Sequence, residues 1–408
     1  MYKSPKSVFS SASMLLILNV LASGLNYLYQ VMASKEFGVA DFGVINAVFS
    51  FITVVGVPGS MLTMVISREI AICRASAQND CIKYLIRCMT IVACVLSACT
   101  GVLLVLFHDY VYGFLSLQNS TQYFLLVLIC MLVLFHPLYS GCMGGYQNFL
   151  ILGLYALMIP GYKIVGLFVA ELCVANMHVE ISLVAILCGS LLTLVVGDVY
   201  VRVKSRKYKC KRYNRINIKE LWDTFAINLG LMLYLNADIL AVRRYGGDDV
   251  TGLYSAASLF GRMTYYVAAS VGTVLIPKVA GVKKDSTKNL FKISFGLVII
   301  IALMFGLCIN ILGKRIVLMV YGNEYSGAEL FLPYVVLISV AMAGMAVVAN
   351  YVVGIGKTGI ISRIMVIMMV MIIVIVEIHI PEEIKLLLIG MIGVFFSIVY
   401  GGVALKGE

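Results

Sequence analysis

The sequence predicts an all-α integral membrane protein with about twelve transmembrane helices in two six-helix lobes related by a parallel repeat. The chain of 408 residues is 62% hydrophobic and only 12% charged, with a mean hydropathy of +1.00, whereas soluble domains carry about 25% charged residues. Its apolar runs do not alternate and reach about 20 residues, the length that crosses a bilayer as a helix. A basic hinge, residues 202–221, divides the chain into lobes 1–201 and 222–408, and nine of the first eighteen hinge residues are Lys or Arg.

Twelve apolar runs are predicted to be membrane spans. They cover residues 10–32, 44–66, 88–107, 121–144, 152–172, 181–201, 222–242, 254–276, 291–312, 329–352, 361–380 and 385–405. With the N-terminus inside, 23 of the 31 Lys and Arg residues fall on the cytoplasmic side, and six fall in outer loops: Lys35, Arg243, Arg244, Lys314, Arg315 and Lys385. Because cytoplasmic loops collect these residues, both termini are expected in the cytoplasm. The net charge of +11 then reflects insertion bias and lipid head groups, not nucleic acid.

A short repeat relates the two halves. Residues 25–47 and 235–256 both open with Leu-Asn and continue with matching residues. The matches are Phe37-Gly38 with Tyr245-Gly246, Asp41 with Asp249, Gly43 with Gly252, and Ala47 with Ala256. Six spans per half is an even number, so both halves insert in the same direction. Transporters with such parallel repeats hold substrate between the repeats and expose it to each side in turn.

Two cations fall inside predicted spans, Lys163 in the fifth and Arg262 in the eighth. Insertion scales give a cost of about 2.5–3.5 kcal/mol for each such cation, so each needs water, an acid or an anionic ligand. Polar residues share a helical face with Arg262, and span one has a polar stripe of its own. The former are Ser255, Ser258, Tyr266 and Thr273, and the latter are Asn19, Ser23, Asn26 and Gln30. We expect a hydrated cationic cavity, with helix packing as the alternative explanation.

Asp238 is the best-placed acid for ion coupling. It lies about a turn from the predicted outer end of span seven, where Arg262 and Arg243 are its candidate partners. Asp198 precedes Arg202 by one turn, and an interfacial ion pair is expected there. The eleven cysteines include no C-x-x-C and the four histidines are far apart, so no metal or other cofactor is predicted. No nucleophile–base constellation occurs, so no enzymatic activity is predicted.

The opening of the chain resembles the polysaccharide transporter family, the O-antigen and capsule repeat-unit flippases. The resembling stretch begins GLNYLYQVMASKEFGVADFGVINA and continues to SREIA at residues 67–71. Twelve spans, the basic hinge, and the motifs Gly252-Leu-Tyr-Ser-Ala256, Pro277-Lys278 and Gly322-Asn-Glu-Tyr325 lie where that family has comparable residues. The family is similar to lipid II flippases and to multidrug and toxin extrusion transporters, within one multidrug/oligosaccharidyl-lipid/polysaccharide exporter superfamily.

The resemblance implies a flippase of the bacterial cytoplasmic (inner) membrane. Its cargo would be a polyprenyl-pyrophosphate-linked oligosaccharide, an O-antigen or capsule repeat unit, moved from the inner to the outer leaflet by alternating access. A diphosphate is the anion that Arg262 and Lys163 lack, since Arg binds phosphate through bidentate hydrogen bonds. By family analogy Arg68 receives the head group first, and a purely topological charge is the alternative. The resemblance also implies ion-gradient coupling, and as partners membrane lipids, a glycan polymerase and chain-length proteins.

Three other functions are weighed against the flippase. A cation-coupled drug exporter of the same fold would need a negative cavity, whereas this one is predicted to be positive. A membrane glycan polymerase or ligase typically has a large outer loop, and every predicted outer loop here has at most about twenty residues. A non-transporting membrane scaffold would not need central cations.

Overall fold

The computed structural model describes residues 5–76, 80–172, 178–206, 218–280, 284–355 and 359–406, although the side chains at some positions, 264–280 among them, lie outside the description. The first half contains α1 (Pro5–Glu36), α2 (Gly38–Ala75), α3 (Asp80–Leu106), α4 (His108–Phe114), α5 (Ser120–Val133), α6 (His136–Gly145), α7 (Phe149–Leu172) and α8 (His178–Ser205). The second half contains α9 (Ile218–Ala280), α10 (Lys284–Tyr321), α11 (Leu332–Ile355), α12 (Gly359–Glu377) and α13 (Glu382–Lys406). Two short 3-10 helices, Asn323–Tyr325 and Ala328–Phe331, precede α11.

The number of membrane-length helices agrees with the number of spans predicted. Ten helical segments of the described residues are long and apolar enough to cross a membrane. One of them, Phe225–Met263, holds two arms of α9, because Gly247 breaks that helix with φ 74° and ψ −178°. Counting both arms and the 32-residue α1 gives the twelve spans expected. The predicted fold class is therefore confirmed, and the chain is a multi-pass membrane protein.

Contacts between residues divide the chain into two compact units. The first unit comprises Met1–Glu36, Val55–Gly113 and Leu117–Asn217, and the second comprises Phe37–Val54, Phe114–Ser116 and Ile218–Glu408. Two segments of the first half of the sequence thus join the second unit, which a division at the hinge does not anticipate. Most of the hinge, residues 202–221, lies outside the described residues.

The start of the hinge is described and shows one expected contact. Arg202 Nε lies 2.6 Å from Asp198 Oδ2, and the two residues are four apart on α8. This confirms the interfacial ion pair predicted from the spacing. Both side chains are exposed, so the pair contributes about 0–1 kcal/mol at most.

Helices of the first unit pack closely through glycines. The ring of Tyr162 on α7 lies against Gly189 on α8, where a Cβ would overlap the ring. A Cβ on Gly141 of α6 would lie 2.9 Å from the Thr63 Cα of α2, and Thr63 Oγ1 donates to the Pro137 carbonyl at 2.9 Å. Membrane helices gain little from the hydrophobic effect among apolar lipid tails, so such close packing and interhelical hydrogen bonds hold them together.

In the second unit α11 is the most deeply buried helix. Every residue from 341 to 349 is buried. The second arm of α9 packs on α11 at Gly261, where a Cβ would lie 2.6 Å from Val335 Cγ1. Because Gly261 adjoins Arg262, this close approach fixes where the cation of the eighth span lies along α11.

The six cations assigned above to outer loops all lie within helices, so the loop assignment is wrong: Lys35 in α1, Arg243 and Arg244 in α9, Lys314 and Arg315 in α10, and Lys385 in α13. Two of the six are buried. Arg243, 1% exposed, lies in the first arm of α9, and Lys385, 0% exposed, lies in the first turn of α13. Lys385 Nζ donates to the Val376 carbonyl at 3.2 Å and lies 4.1 Å from the ring centroid of Tyr245. The helices extend beyond the apolar runs from which the loops were predicted, and these cations find acceptors inside the protein.

Candidate functional site

A polar cluster inside a membrane span surrounds Arg262 in the second unit. Arg262 lies on the second arm of α9, about 22 Å along the helix from Gly247 at a rise of 1.5 Å per residue. Side chains of an α-helix point back toward its N-terminus. Arg262 is therefore directed toward Ser258 and Tyr254, one and two turns earlier on the same face.

Asp238 on the first arm of α9 belongs to this cluster. It is 6% exposed, and its Oδ2 accepts a hydrogen bond from the Tyr254 hydroxyl at 2.8 Å. Its Oδ1 accepts from the backbone N–H of Ile239 at 2.8 Å, and the charge of Arg262 acts on the carboxylate. Of the two partners considered for Asp238, Arg262 is the one it interacts with, since Arg243 forms an ion pair with a different acid.

Arg262 has unused hydrogen-bond donors. Its Nε and Nη2 are shielded from solvent and have no hydrogen-bond partner among the described residues. These two nitrogens form one edge of the planar guanidinium, the fork that binds two oxygens of a carboxylate or phosphate. Leaving a donor buried and unpaired costs about 1–3 kcal/mol. A ligand with neighbouring acceptor oxygens would remove this cost.

The serines beside Arg262 are buried. Ser255 is 1% exposed, and its Oγ likewise has no hydrogen-bond partner among the described residues. Ser258 is 2% exposed, and its Oγ donates to the Ser255 carbonyl at 3.0 Å. Tyr266, predicted to share this face, has its side chain outside the described residues. The structure thus brings together Arg262, Ser258 and Asp238 from the predicted set.

The first unit has candidate residues of its own. Lys163 on α7 is half-buried, and its Nζ lies 5.6 Å from the ring centroid of Tyr29 on α1, within the range of a cation–π contact. Asn26, also half-buried, lies one turn before Tyr29. Lys163 and the polar stripe of span one therefore lie on adjoining helices. Arg68, on α2, is exposed.

Two tyrosines that contact these ions were missed in the sequence. Tyr29 is 1% exposed beside Lys163, and Tyr254 is 0% exposed beside Asp238. Tyrosines are frequent in this chain, which has 24 of them, so residue type alone does not single them out. Two signals pointed to Tyr254: its place in the Gly252–Ala256 motif and its position two turns before Arg262.

Comparison with solved structures identifies the fold. An inward-facing multidrug resistance MATE family transporter of the MOP superfamily has a TM-score of 0.72 and 13% sequence identity, over 94% of this chain and 95% of that chain. An outward-facing MATE family transporter scores 0.63 at 14% identity, over 99% and 95%. A MOP superfamily transporter from Pyrococcus furiosus, with a binding pocket of reverse polarity, scores 0.64 at 14% identity, over 99% and 95%. At these identities the likeness concerns the fold alone.

Comparison by sequence identifies the family. No curated protein matches the chain. The family model described as polysaccharide biosynthesis protein matches residues 8–282, two thirds of the chain. The match agrees with the resemblance drawn from the opening residues and with the predicted superfamily. The chain belongs to the polysaccharide biosynthesis protein family.

Proposed function

We propose that the chain is a flippase that moves a polyprenyl-pyrophosphate-linked oligosaccharide, such as an O-antigen or capsule repeat unit, across the bacterial inner membrane. The family match and the twelve membrane helices support a membrane transporter. The observation that carries the substrate class is the unpaired Nε–Nη2 fork of Arg262 inside a membrane helix. A cation inside a span needs water, an acid or an anionic ligand, and a diphosphate offers several acceptor oxygens at bidentate spacing.

Asp238 moderates the charge of this site. Both of its oxygens accept hydrogen bonds, one from Tyr254 and one from the backbone of Ile239. It therefore acts on Arg262 through its charge and leaves the fork to the ligand. A transported ion must bind well enough to enter and weakly enough to leave. A neighbouring carboxylate weakens the binding of an anionic head group, so it favours release and is the proposed point of coupling to a cation gradient.

The remaining predicted residues are proposed as further substrate contacts within their own units. Lys163 and Arg68 of the first unit are proposed as further contacts for the diphosphate, and Asn26, Ser258 and Tyr266 as hydrogen-bonding groups. Both termini lie in the cytoplasm, as the distribution of Lys and Arg indicates. The head group crosses by alternating access and no covalent bond changes, so the protein is not an enzyme. Its proposed partners are the lipid-linked oligosaccharide, membrane lipids, a glycan polymerase and chain-length proteins.

The test is glycan display at the surface of a flippase-null strain complemented with variants at matched membrane levels. Arg262→Gln should lower display about tenfold or more, because hydrogen bonds to charged groups contribute about 1.5–3 kcal/mol. Arg262→Lys keeps the charge without the fork and should fall between Arg262→Gln and wild type. Arg315→Gln, an exposed arginine on α10, is the matched control. Normal display by both Arg262→Gln and Lys163→Gln would refute the site.

A cation-coupled drug exporter is the second candidate. The MATE fold of the neighbours and the buried carboxylate of Asp238 favour it. Expression of the wild type in an exporter-deficient strain separates the two. Resistance to cationic dyes that disappears in Asp238→Asn, with no restoration of glycan display, would establish the exporter and overturn the flippase.

A further inference from the structure

Three aromatic rings gather at the end of the first unit where α4 connects α3 to α5. His108 and Tyr112, one turn apart on α4, stack with 5.6 Å between their ring centroids and 21° between their planes. The ring of Tyr123 on α5 meets His108 in a T-shaped contact at 4.5 Å, and its hydroxyl donates to the Leu104 carbonyl. Tyr123 is buried, whereas the His108 side chain is 47% exposed. The buried ring thus supports the stacked pair His108 and Tyr112, which is termed the ring platform.

Two carboxylates lie at the same end of the unit, and the protein holds each by one oxygen. Asp109 Oδ1 lies 2.8 Å from His108 Nδ1, and the Asp109 side chain is fully exposed. Glu180 Oε1, at the start of α8, accepts from Asn119 Nδ2 at 2.9 Å and from Gln122 Nε2 at 2.8 Å. Gln122 immediately precedes the supporting tyrosine, so both carboxylates lie about the first turn of α5. Among the described residues nothing bonds the second oxygen of either carboxylate, so each keeps a free acceptor in a fixed orientation.

The residues at this end of the unit suit an uncharged ligand. No Lys or Arg occurs between Arg87 and Lys163, or between Lys163 and Arg202, so α4 and the starts of α5 and α8 carry neither. An anion would therefore meet two carboxylates without a basic residue to offset them. A metal ion needs several such ligands, and the described residues contain no group of three His, Cys, Asp or Glu side chains placed for one. Ionised carboxylates only accept hydrogen bonds, so the ligand they select is one rich in hydroxyl donors.

The ring platform lies at the level of the lipid head groups. The apolar run predicted as the third span covers residues 88–107, about 30 Å of helix and thus the thickness of the hydrocarbon. Helix α4 begins at the next residue. Sugars attached to a carrier lipid lie at this level, and the C–H bonds of a sugar ring pack against the electron-rich face of an aromatic ring. Tyrosines also anchor proteins at membrane interfaces, but such anchoring has no use for two carboxylates held with a free oxygen.

We propose that the ring platform, Asp109 and Glu180 form a glycan-binding site, which takes the uncharged sugars of the lipid-linked oligosaccharide on the outer side of the membrane. The identity of the ligand rests on the proposed function, whereas the site rests on the geometry of the rings and carboxylates. The rings stack on a sugar ring, and the free carboxylate oxygens accept from its hydroxyls. Because these groups are held before the ligand binds, little ordering is lost on binding. The site distinguishes one glycan from another, which recognition of a shared diphosphate does not.

The test is binding of the full-length protein in lipid nanodiscs to an array of O-antigen and capsule repeat-unit oligosaccharides. These probes carry the sugars without diphosphate or lipid. The wild type should bind at least one of them. Glu180→Gln should lower that binding about tenfold, because an amide replaces the charged acceptor while the size of the side chain is kept. Tyr112→Ala should lower it about tenfold as well, because the stacking surface is lost.

Phe124→Ala is the matched control. Phe124 is 63% exposed and directly follows the supporting tyrosine on α5, so it removes an exposed ring at the same level of the membrane. This variant should bind the glycan as the wild type does. Thermal unfolding in the nanodiscs shows whether each variant is folded.

Two results would overturn the glycan-binding site: a wild type that binds none of the oligosaccharides, or equal binding by Glu180→Gln, Tyr112→Ala and Phe124→Ala. If the rings served only as a membrane anchor, Tyr112→Ala and Phe124→Ala would lower the Tm alike and leave glycan binding unchanged. A failure of the flippase proposal is seen separately, because the array measures no transport: glycan display would then be absent in the flippase-null strain while binding to the array persisted.

Discussion

Replacement of Arg243 by methionine tests how the second unit holds residues 114–116. The Arg243 side chain is 0% exposed, and its Nη1 lies 2.5 Å from Asp248 Oδ1. Its other donors serve the carbonyls of Leu115 and Ser116. Methionine fills a similar length without any donor. The variant should therefore keep the packing of the arginine stem while leaving the two carbonyls and the carboxylate without this partner.

The expected decrease in the free energy of unfolding depends on how exposed each acceptor is. Leu115 is 0% exposed, so its carbonyl incurs the full cost of a buried unpaired acceptor, about 1–3 kcal/mol. The carbonyl of Ser116 adds a smaller amount. The Asp248 side chain is 32% exposed, and solvent screening limits the loss of that ion pair to about 0–1 kcal/mol. Removal of the guanidinium also removes its own desolvation cost. The free energy of unfolding should fall by about 3 kcal/mol, at the low end for a broken buried pair.

Thermal unfolding of the detergent-purified protein, followed by circular dichroism, measures this loss. For a unit of about 200 residues, 1 kcal/mol corresponds to about 2–4 °C, so the Tm of Arg243→Met should fall by about 6–12 °C. Arg315→Met, at an exposed arginine on α10, should change the Tm by less than about 2 °C. If Arg243→Met melted within that same margin of wild type, the Arg243 hydrogen bonds to the Leu115 and Ser116 carbonyls would not contribute to stability and the reasoning above would fail.

Two further predictions concern helix pairs within the units. A double-mutant cycle of Tyr254→Phe and Asp238→Ala should give a coupling free energy of about 1.5–3 kcal/mol. A value near zero in denaturant unfolding would contradict the 2.8 Å hydrogen bond. Gly189→Ala should cost about 1–3 kcal/mol by overpacking against the Tyr162 ring. Gly161→Ala is the control, because a Cβ there would have nothing within 4 Å, and it should be neutral or stabilising by up to about 1 kcal/mol. Equal effects of Gly189→Ala and Gly161→Ala on the free energy of unfolding would refute the packing argument.

The number and order of spans could be predicted because the bilayer imposes a length and an apolar composition on each helix. The positions of the helix ends could not be predicted in this way. Helix α2 runs from Gly38 to Ala75, whereas its apolar run gave residues 44–66. Polar residues past the hydrocarbon edge continue the helix because their backbone groups still bond within it. For the same reason Arg243 and Lys385 belong to helices and not to loops.

The sequence predicted which residues belong to the candidate site, but not which residues they contact. Lys163 and Arg262 stand out because cations inside apolar runs are costly and therefore functional by default. Their neighbours depend on helix rotation and hairpin register, which one sequence does not specify. Tyr254 reaches Asp238 because Gly247 folds the arms of α9 against each other. The carbonyl acceptors of Arg243 lie 127 and 128 residues earlier in the chain, so no local sequence pattern predicts them.

The repeat explains why some residues occur twice and others once. Gly43 and Gly252 contact each other reciprocally, so one steric demand acts on both: either Cβ would enter the backbone of the opposite helix. Arg262 has no such twin, since the register that pairs these glycines aligns it with Thr53, whose Oγ1 donates to the Phe49 carbonyl of its own helix at 2.8 Å. Close backbone packing at this contact acts on both glycines, whereas recognition of an anionic ligand needs a charge at one place. The chain therefore has the glycine in both halves and the arginine in one.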